Sequence, residues 1–290
     1  MSETPDSVMS PSLQASTSTG VVAVVDPVST GACLAYHLAN KGHRLVRVWS
    51  DMCPPTVRAH TKAGTEVDWL ATYEYQPGHA YTLACELAKN HGNGMTVMVG
   101  CETGVLAADV LASALGSRGN GKDLSELRRN KFLQIEAVRS AGLGAPFQAQ
   151  VQSTEEVEEW LTRQEFAEPF KAVVKPVDGA GSDGVTICDS RDDVRRAFAG
   201  LEGTKNVLGL TNYNVLLQEY LKGDEYVIDT ASRNGVHKCV AIWKYDKRAA
   251  NGVSGNVVYF GMRLLQLDAE PELQPMVEYV CGVLDALGIR

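Results

Sequence analysis

The sequence has no surplus of positive charge. Its 290 residues hold 27 Lys and Arg against 35 Asp and Glu, a formal net charge of -8. Nucleic-acid binding needs a concentrated basic surface, so no nucleic-acid partner is expected. No apolar run reaches the roughly 18 residues that a spanning helix needs, so no membrane partner is expected either. Met1 to Gly20 contains no Lys or Arg and no apolar central segment, which is unlike a secretory signal. Cys33, Cys53, Cys85, Cys101, Cys188, Cys239 and Cys281 are odd in number and form no CxxC pair. A disulfide framework or zinc knuckle is therefore not expected, and reduced thiols in a cytoplasmic setting are. The six histidines show no ligand spacing. Asp26-Pro27-Val28-Ser29-Thr30-Gly31 stands where a dinucleotide fold carries GxGxxG, and it lacks the first two glycines. The backbone there is not shaped for close approach to a pyrophosphate, which argues against an NAD-dependent dehydrogenase. Asp51 then reads as a loop residue.

What is present reads as a globular chain of about two domains. Residues 1–19, rich in Ser, Thr and Pro, are expected to be a disordered tail. Val21–Val25 is a β-branched run of the kind buried on both faces of a sheet. A helical pattern through Cys33, Leu34, Tyr36, Leu38 and Ala39 follows and is closed by Gly42, then a second strand at Leu45–Trp49. This βαβ unit predicts a parallel, Rossmann-like domain over 20–120. Helices are expected at Tyr81–Lys89 and Val105–Leu115, with a strand at Met95–Val99 between them and a linker from Gly116 to Lys122. The spacing then predicts helices over Leu124–Asn130 and Lys131–Ala141. A capped helix from Ser153, a second one capped by Ser190, and several strands in 171–265, among them Lys238–Trp243, give the second half, 121–290, an α+β character. A last helix is expected at about Glu272–Leu287.

The strongest local pattern is Val173-Val174-Lys175-Pro176-Val177-Asp178-Gly179-Ala180-Gly181-Ser182-Asp183-Gly184-Val185. Glycines let backbone N–H groups converge on phosphate oxygens, and a lysine adds a mobile charge. No GK[ST] follows, so it is not a Walker loop. On the pattern alone, a plain glycine-rich hairpin with a solvated Lys175 is equally compatible. About forty residues on, Leu216–Tyr226 reads as a strand, a polar hinge and a second strand. Alone it reads as a turn with exposed acids. Glu102 lies at the carboxyl end of a predicted parallel strand, where open α/β sheets bind ligands.

Together these residues resemble the ATP-grasp superfamily, nearest to its carboxylate–amine ligases of the L-amino acid, dipeptide-forming group. The resemblance is carried by Val99–Asp109, Leu115–Asn120 with Arg128–Lys131, Lys175 with its glycine loop, Val207–Asn212, Gln218–Leu221 and Glu225–Thr230. It implies a Rossmann-like pre-ATP-grasp domain followed by an ATP-grasp domain. It also implies an ATP site: Lys131 and Lys175 on the phosphates, and Gly179, Gly181, Ser182 and Gly184 in a loop over them. Gln218, Glu219, Tyr220 and Leu221 would lie along the adenine and Glu225 on the ribose. Glu102, Trp243, Lys244 and Arg248 become candidates for the substrate cleft, with Lys247 beside them. The implied cofactors are ATP and Mg2+, and the implied partners a small-molecule carboxylate and an amine, amino acids by class. The resemblance implies that a carboxylate takes the γ-phosphoryl group and an amine then displaces phosphate. It puts the magnesium ligands of the late strands beyond Arg290, so that the ATP-grasp domain is expected to be short of those strands. A non-catalytic ATP-binding module and a carboxylase-type or D-alanine-ligase-type substrate stay open. The catalytic residues and oligomeric state are not fixed by the sequence.

Overall fold

The computed structural model describes residues 20–59, 66–163, 166, 168–179, 182–207, 209–249 and 257–290. The tail expected over 1–19 lies outside the described residues. The first domain is a parallel sheet flanked by helices. Its elements are β1 (Val21–Val25), α1 (Thr30–Asn40), β2 (Arg44–Trp49), α2 (Pro55–Arg58), β3 (Thr72–Glu74), α3 (Ala80–His91), β4 (Thr96–Val99) and α4 (Val105–Ala114). The strand order is β3-β2-β1-β4. β1 is buried along its whole length because both faces are covered. Ala23 and Val25 pack with Leu83, Leu87 and Leu111, whereas Val22 and Val24 pack with Ala35 and Leu45. Its β-branched composition is that of a central parallel strand.

The second half holds two antiparallel sheets. α5 (Lys131–Ser140), β5 (Gln148–Val151), α6 (Thr154–Arg163), β6 (Ala172–Pro176), β7 (Thr186–Cys188), α7 (Arg191–Leu201) and β8 (Val215–Glu219) build a sheet of order β5-β8-β6-β7. Trp160, Leu161, Val194 and Phe198 of α6 and α7 cover one of its faces. Both helices are capped as the sequence suggests. Ser190 Oγ accepts from Asp193 N, and Ser153 Oγ accepts from Glu156 N. Glu156 closes its own cap on the Gln152 amide at 2.6 Å. β9 (Tyr226–Arg233), β10 (Val236–Ala249) and β11 (Val257–Leu265) form the other sheet, and α8 (Gln274–Ala286) packs on it through Leu273 and Val277 against Ile242 and Leu265.

Three expectations change. The helix expected at Leu124–Asn130 is a single 3-10 turn, Glu126–Arg128. Its residues bond outward instead: Ser125 Oγ and the Arg128 guanidinium both reach Asp109 of α4. β10 extends well past Trp243, because β11 pairs with it as far as Ala249, while β9 pairs with it only as far as Lys244. β3, β5 and β11 were not legible. β5 reads Gln-Ala-Gln-Val, with little apolar signal, and β11 carries Gly261 opposite a bulge at Asp246/Lys247.

Candidate nucleotide site

Asn130 caps α5, accepting from the amides of Phe132 and Leu133 at 3.0 Å each. The cap fixes Lys131 in the first turn. Its Nζ donates to the carbonyl of Gly179 at 2.5 Å and to that of Val177 at 3.4 Å. Along β6 the pleat alternates, so Val174 faces the core while Lys175 faces the opposite side. Lys175 Nζ donates to Gln218 Oε1 on β8 at 2.8 Å. Gln218 in turn donates to Gln148 of β5 at 3.3 Å. Burial, with Lys131 and Lys247 facing it, pushes the Lys175 ammonium down to about 8. Lys131 is lowered as well, by burial and then by Arg129, against the opposing charges of Glu102 and Asp178. Arg129 is buried and donates to the carbonyl of Asp178 at 2.9 Å.

The glycine loop leaves β6 at this cluster. Ser182 and Gly184 both adopt positive φ, 62° and 68°. Asp183 ties the loop to the Lys205–Thr211 bridge by accepting from the Val207 amide at 2.7 Å. Gly181 lies outside the described residues.

A cavity of about 790 Å³ opens between Ile187 of β7, the 220–225 hinge and the facing stretches of β10 and β11; Lys131, Lys175 and the described residues of the glycine loop are not among its lining residues. Tyr220, Leu221 and Glu225 line it, as do Lys244 and Lys247. Glu225 pairs with Lys247, its carbonyl accepts from the Tyr245 amide at 2.9 Å, and Asp224 pairs with Lys244 at 2.6 Å. The cavity thus borders β10 at 244–247, beyond the expected strand Lys238–Trp243. Four of the expected residues point elsewhere. Gln218 holds Lys175. Glu219 accepts from the Phe147 amide at 2.8 Å. Trp243 donates to Asp229 at 2.8 Å. Arg248 pairs with Asp246 and lies 3.5 Å over the Phe260 ring.

The first domain meets this cluster at the carboxyl ends of its strands. Asp26 is fully buried and accepts from Ser50 N at 2.7 Å and from the hydroxyls of Ser50 and Thr103 at 2.6 Å each. This holds the loops after β1, β2 and β4 together. Glu102, next to Thr103, thereby reaches a position from which its charge acts on Lys131. Lys131, Lys175, Lys247 and Glu102 come from four different elements, and the sequence gives no spacing that links them. Arg129 was not anticipated as part of this cluster; its place beside Lys131 was the only signal. Among the described residues, no group of three or more His, Cys, Asp or Glu side chains is placed to hold a metal ion.

Residues 168–290 match the family model of the ATP-grasp domain. This segment is similar to an ATP-grasp domain, and the match covers less than half of the chain. Among curated relatives, dapdiamide A synthase of Enterobacter agglomerans is 29% identical over 195 residues. That match takes in 67% of this chain and 44% of the relative, so this chain spans less than half the length of that protein. Among solved structures, L-amino acid ligase from Bacillus licheniformis superposes with a TM-score of 0.63 at 17% identity, over 93% of this chain and 60% of that one. D-alanine–D-alanine ligase from Bacillus anthracis, solved with ATP, gives 0.53 at 16% identity, over 93% and 78%. The structural likenesses establish the fold. Lys175, Lys247, the glycine loop and the hinge lie in the matched segment, and Lys131 lies ahead of it.

Proposed function

We propose that this chain binds ATP in the 790 Å³ cavity and acts as an ATP-dependent carboxylate–amine ligase on small substrates of the amino acid class. The observation that carries this reading is the convergence of Lys131, Lys175 and Lys247 beside the glycine loop. Burial, and then repulsion from Lys131 and Lys247, depresses Lys175, and a polyphosphate is the kind of anion that relieves that repulsion. Bound ATP supplies a γ-phosphoryl group that activates a carboxylate. The carboxylate is already a nucleophile, so this chain's residues need only position and neutralise charge. Lys131 and Lys175 face the phosphates, Tyr220 and Leu221 flank the base, and Glu225 accepts from the ribose. Glu102 approaches the same point from the first domain and is our candidate contact to substrate. We place the domain division at 120–121, within the turn segment between α4 and the 3-10 turn.

Magnesium belongs to this chemistry in the family, but the described carboxylates form no site for it. A second reading is an ATP-binding module without turnover. No helix among the described residues is long and apolar enough to cross a membrane. The test is calorimetric titration with ATP, followed by phosphate release with mixed amino acids and magnesium. Binding with amino-acid-dependent release supports the ligase. Binding without release supports the module, and no binding overturns both.

A further inference from the structure

The ion pair of Glu225 with Lys247 ties together two groups that a nucleotide needs apart. Glu225 stands at the end of the hinge, just ahead of β9, and Lys247 lies on β10. Both line the cavity of about 790 Å³. Burial works against the Lys247 charge, and the Glu225 carboxylate outweighs it, so the ammonium is raised. The same ammonium acts on Lys175, which it helps to lower after burial and Lys131. Lys247 therefore stands between the acid assigned to the ribose and the lysine assigned to the phosphates. A carboxylate oxygen engaged by an ammonium is a poorer acceptor for a ribose hydroxyl. An ammonium neutralised by a carboxylate is a weaker partner for phosphate.

Opening the pair leaves the hinge in place. The Glu225 carbonyl accepts from the Tyr245 amide at 2.9 Å, and one residue earlier Asp224 pairs with Lys244 at 2.6 Å. The Lys247 ammonium also has the Tyr259 ring beside it, 4.8 Å from Nζ to the centroid. The side chains of Lys247 and Glu225 are 30% and 43% exposed, and an ion pair so open to water is easily replaced. A ligand that offers each partner a new contact can replace it. A nucleoside offers hydroxyls to Glu225 alone and leaves Lys247 beside Lys175 without its anion.

We propose that the Glu225–Lys247 pair is a selectivity latch, opened by a ligand that carries both a ribose and a polyphosphate, so that nucleoside di- and triphosphates bind in preference to nucleosides. The latch rests on this cavity being the nucleotide site.

The test is calorimetric titration of the whole chain with ADP, adenosine and tripolyphosphate. Lys247→Met frees the acid, so adenosine should bind about two- to fivefold more tightly and tripolyphosphate about fivefold or more weakly. Glu225→Gln frees the ammonium and should reverse both signs, with tripolyphosphate about two- to fivefold tighter and adenosine weaker. Each variant improves the binding of one probe, which a misfolded chain does not do. An unaltered chain that fails to bind ADP would overturn the nucleotide site and the latch with it. With ADP bound by the unaltered chain, unchanged affinities, or both probes moving in the same direction in either variant, would overturn the latch alone.

Discussion

Lys175 concentrates the chemistry of the candidate site in one side chain. Replacing it with Met removes a charged contact to phosphate, so ATP affinity should fall about tenfold or more, roughly 1.5–3 kcal/mol, by calorimetry. Unchanged affinity would contradict the assignment. Its titration has two signs to separate. The protonated form attracts phosphate, and with Lys175 at about 8, ADP affinity should fall as pH rises through that value. An anion raises the lysine's value, so binding just above that pH should take up a proton, visible as a buffer-dependent enthalpy. Stability runs the other way. Between about 8 in the folded chain and the ordinary 10.5, the unfolded chain keeps a proton that the folded chain has lost. The free protein should therefore gain stability with rising pH across that window, relative to Lys175→Met in parallel melts.

At the scale of elements, the site depends on loops that pass very close together. A Cβ on Gly31 would lie 2.1 Å from the Gly100 carbonyl oxygen, and one on Gly100 would lie 2.5 Å from that of Asp26. The first two dinucleotide glycines are missing, but the third, Gly31, together with Gly100 lets the β1–α1 loop meet the end of β4. Gly31→Ala should force these loops apart, costing more than about 3 kcal/mol in denaturant unfolding. Ready acceptance of alanine would refute that contact. In the glycine loop, Gly184 combines φ of 68° with a Cβ position 2.8 Å from Leu201. Gly184→Ala should destabilise by about 1–3 kcal/mol and weaken nucleotide binding too, since the loop then cannot settle against Pro176. Melting and calorimetry on the same sample separate the two effects.

For the whole molecule, Arg128 is the fastener. Its Nη2 and Nε donate to Asp109 of α4, at 2.9 and 3.2 Å, and its Nη1 to the carbonyl of Leu287 at the end of α8, at 2.9 Å. Both side chains of the pair are largely buried. It joins the first domain, the linker and the last helix, which also holds Gly144 through the Tyr279 hydroxyl at 2.7 Å. Arg128→Ala would leave Asp109 buried without its cation, a loss of about 3–5 kcal/mol. The Arg128→Ala, Asp109→Ala double variant should lose less than the sum of the single variants in thermal or urea unfolding. Additive losses would show that the pair does not couple the domains.

The elements were largely legible because their signals are local. The β-branched run of β1, the Ser153 and Ser190 caps and the loop glycines each act over a few residues, and the order of domains follows from them. Lys131 and Lys175 were legible for the same reason, standing beside a helix cap and a glycine loop. Their company was not. That Gln218 turns to Lys175, that Glu219 turns back to Phe147, that Lys247 answers Glu225 across a hairpin, and that Arg128 spans 159 positions to Leu287 depend on strand register and on how two sheets face each other. Sequence determined which side chains are available and which segments fold. Tertiary structure decided which of them share a site, because electrostatic coupling and hydrogen bonding act through distance in space, and chain separation carries no record of it.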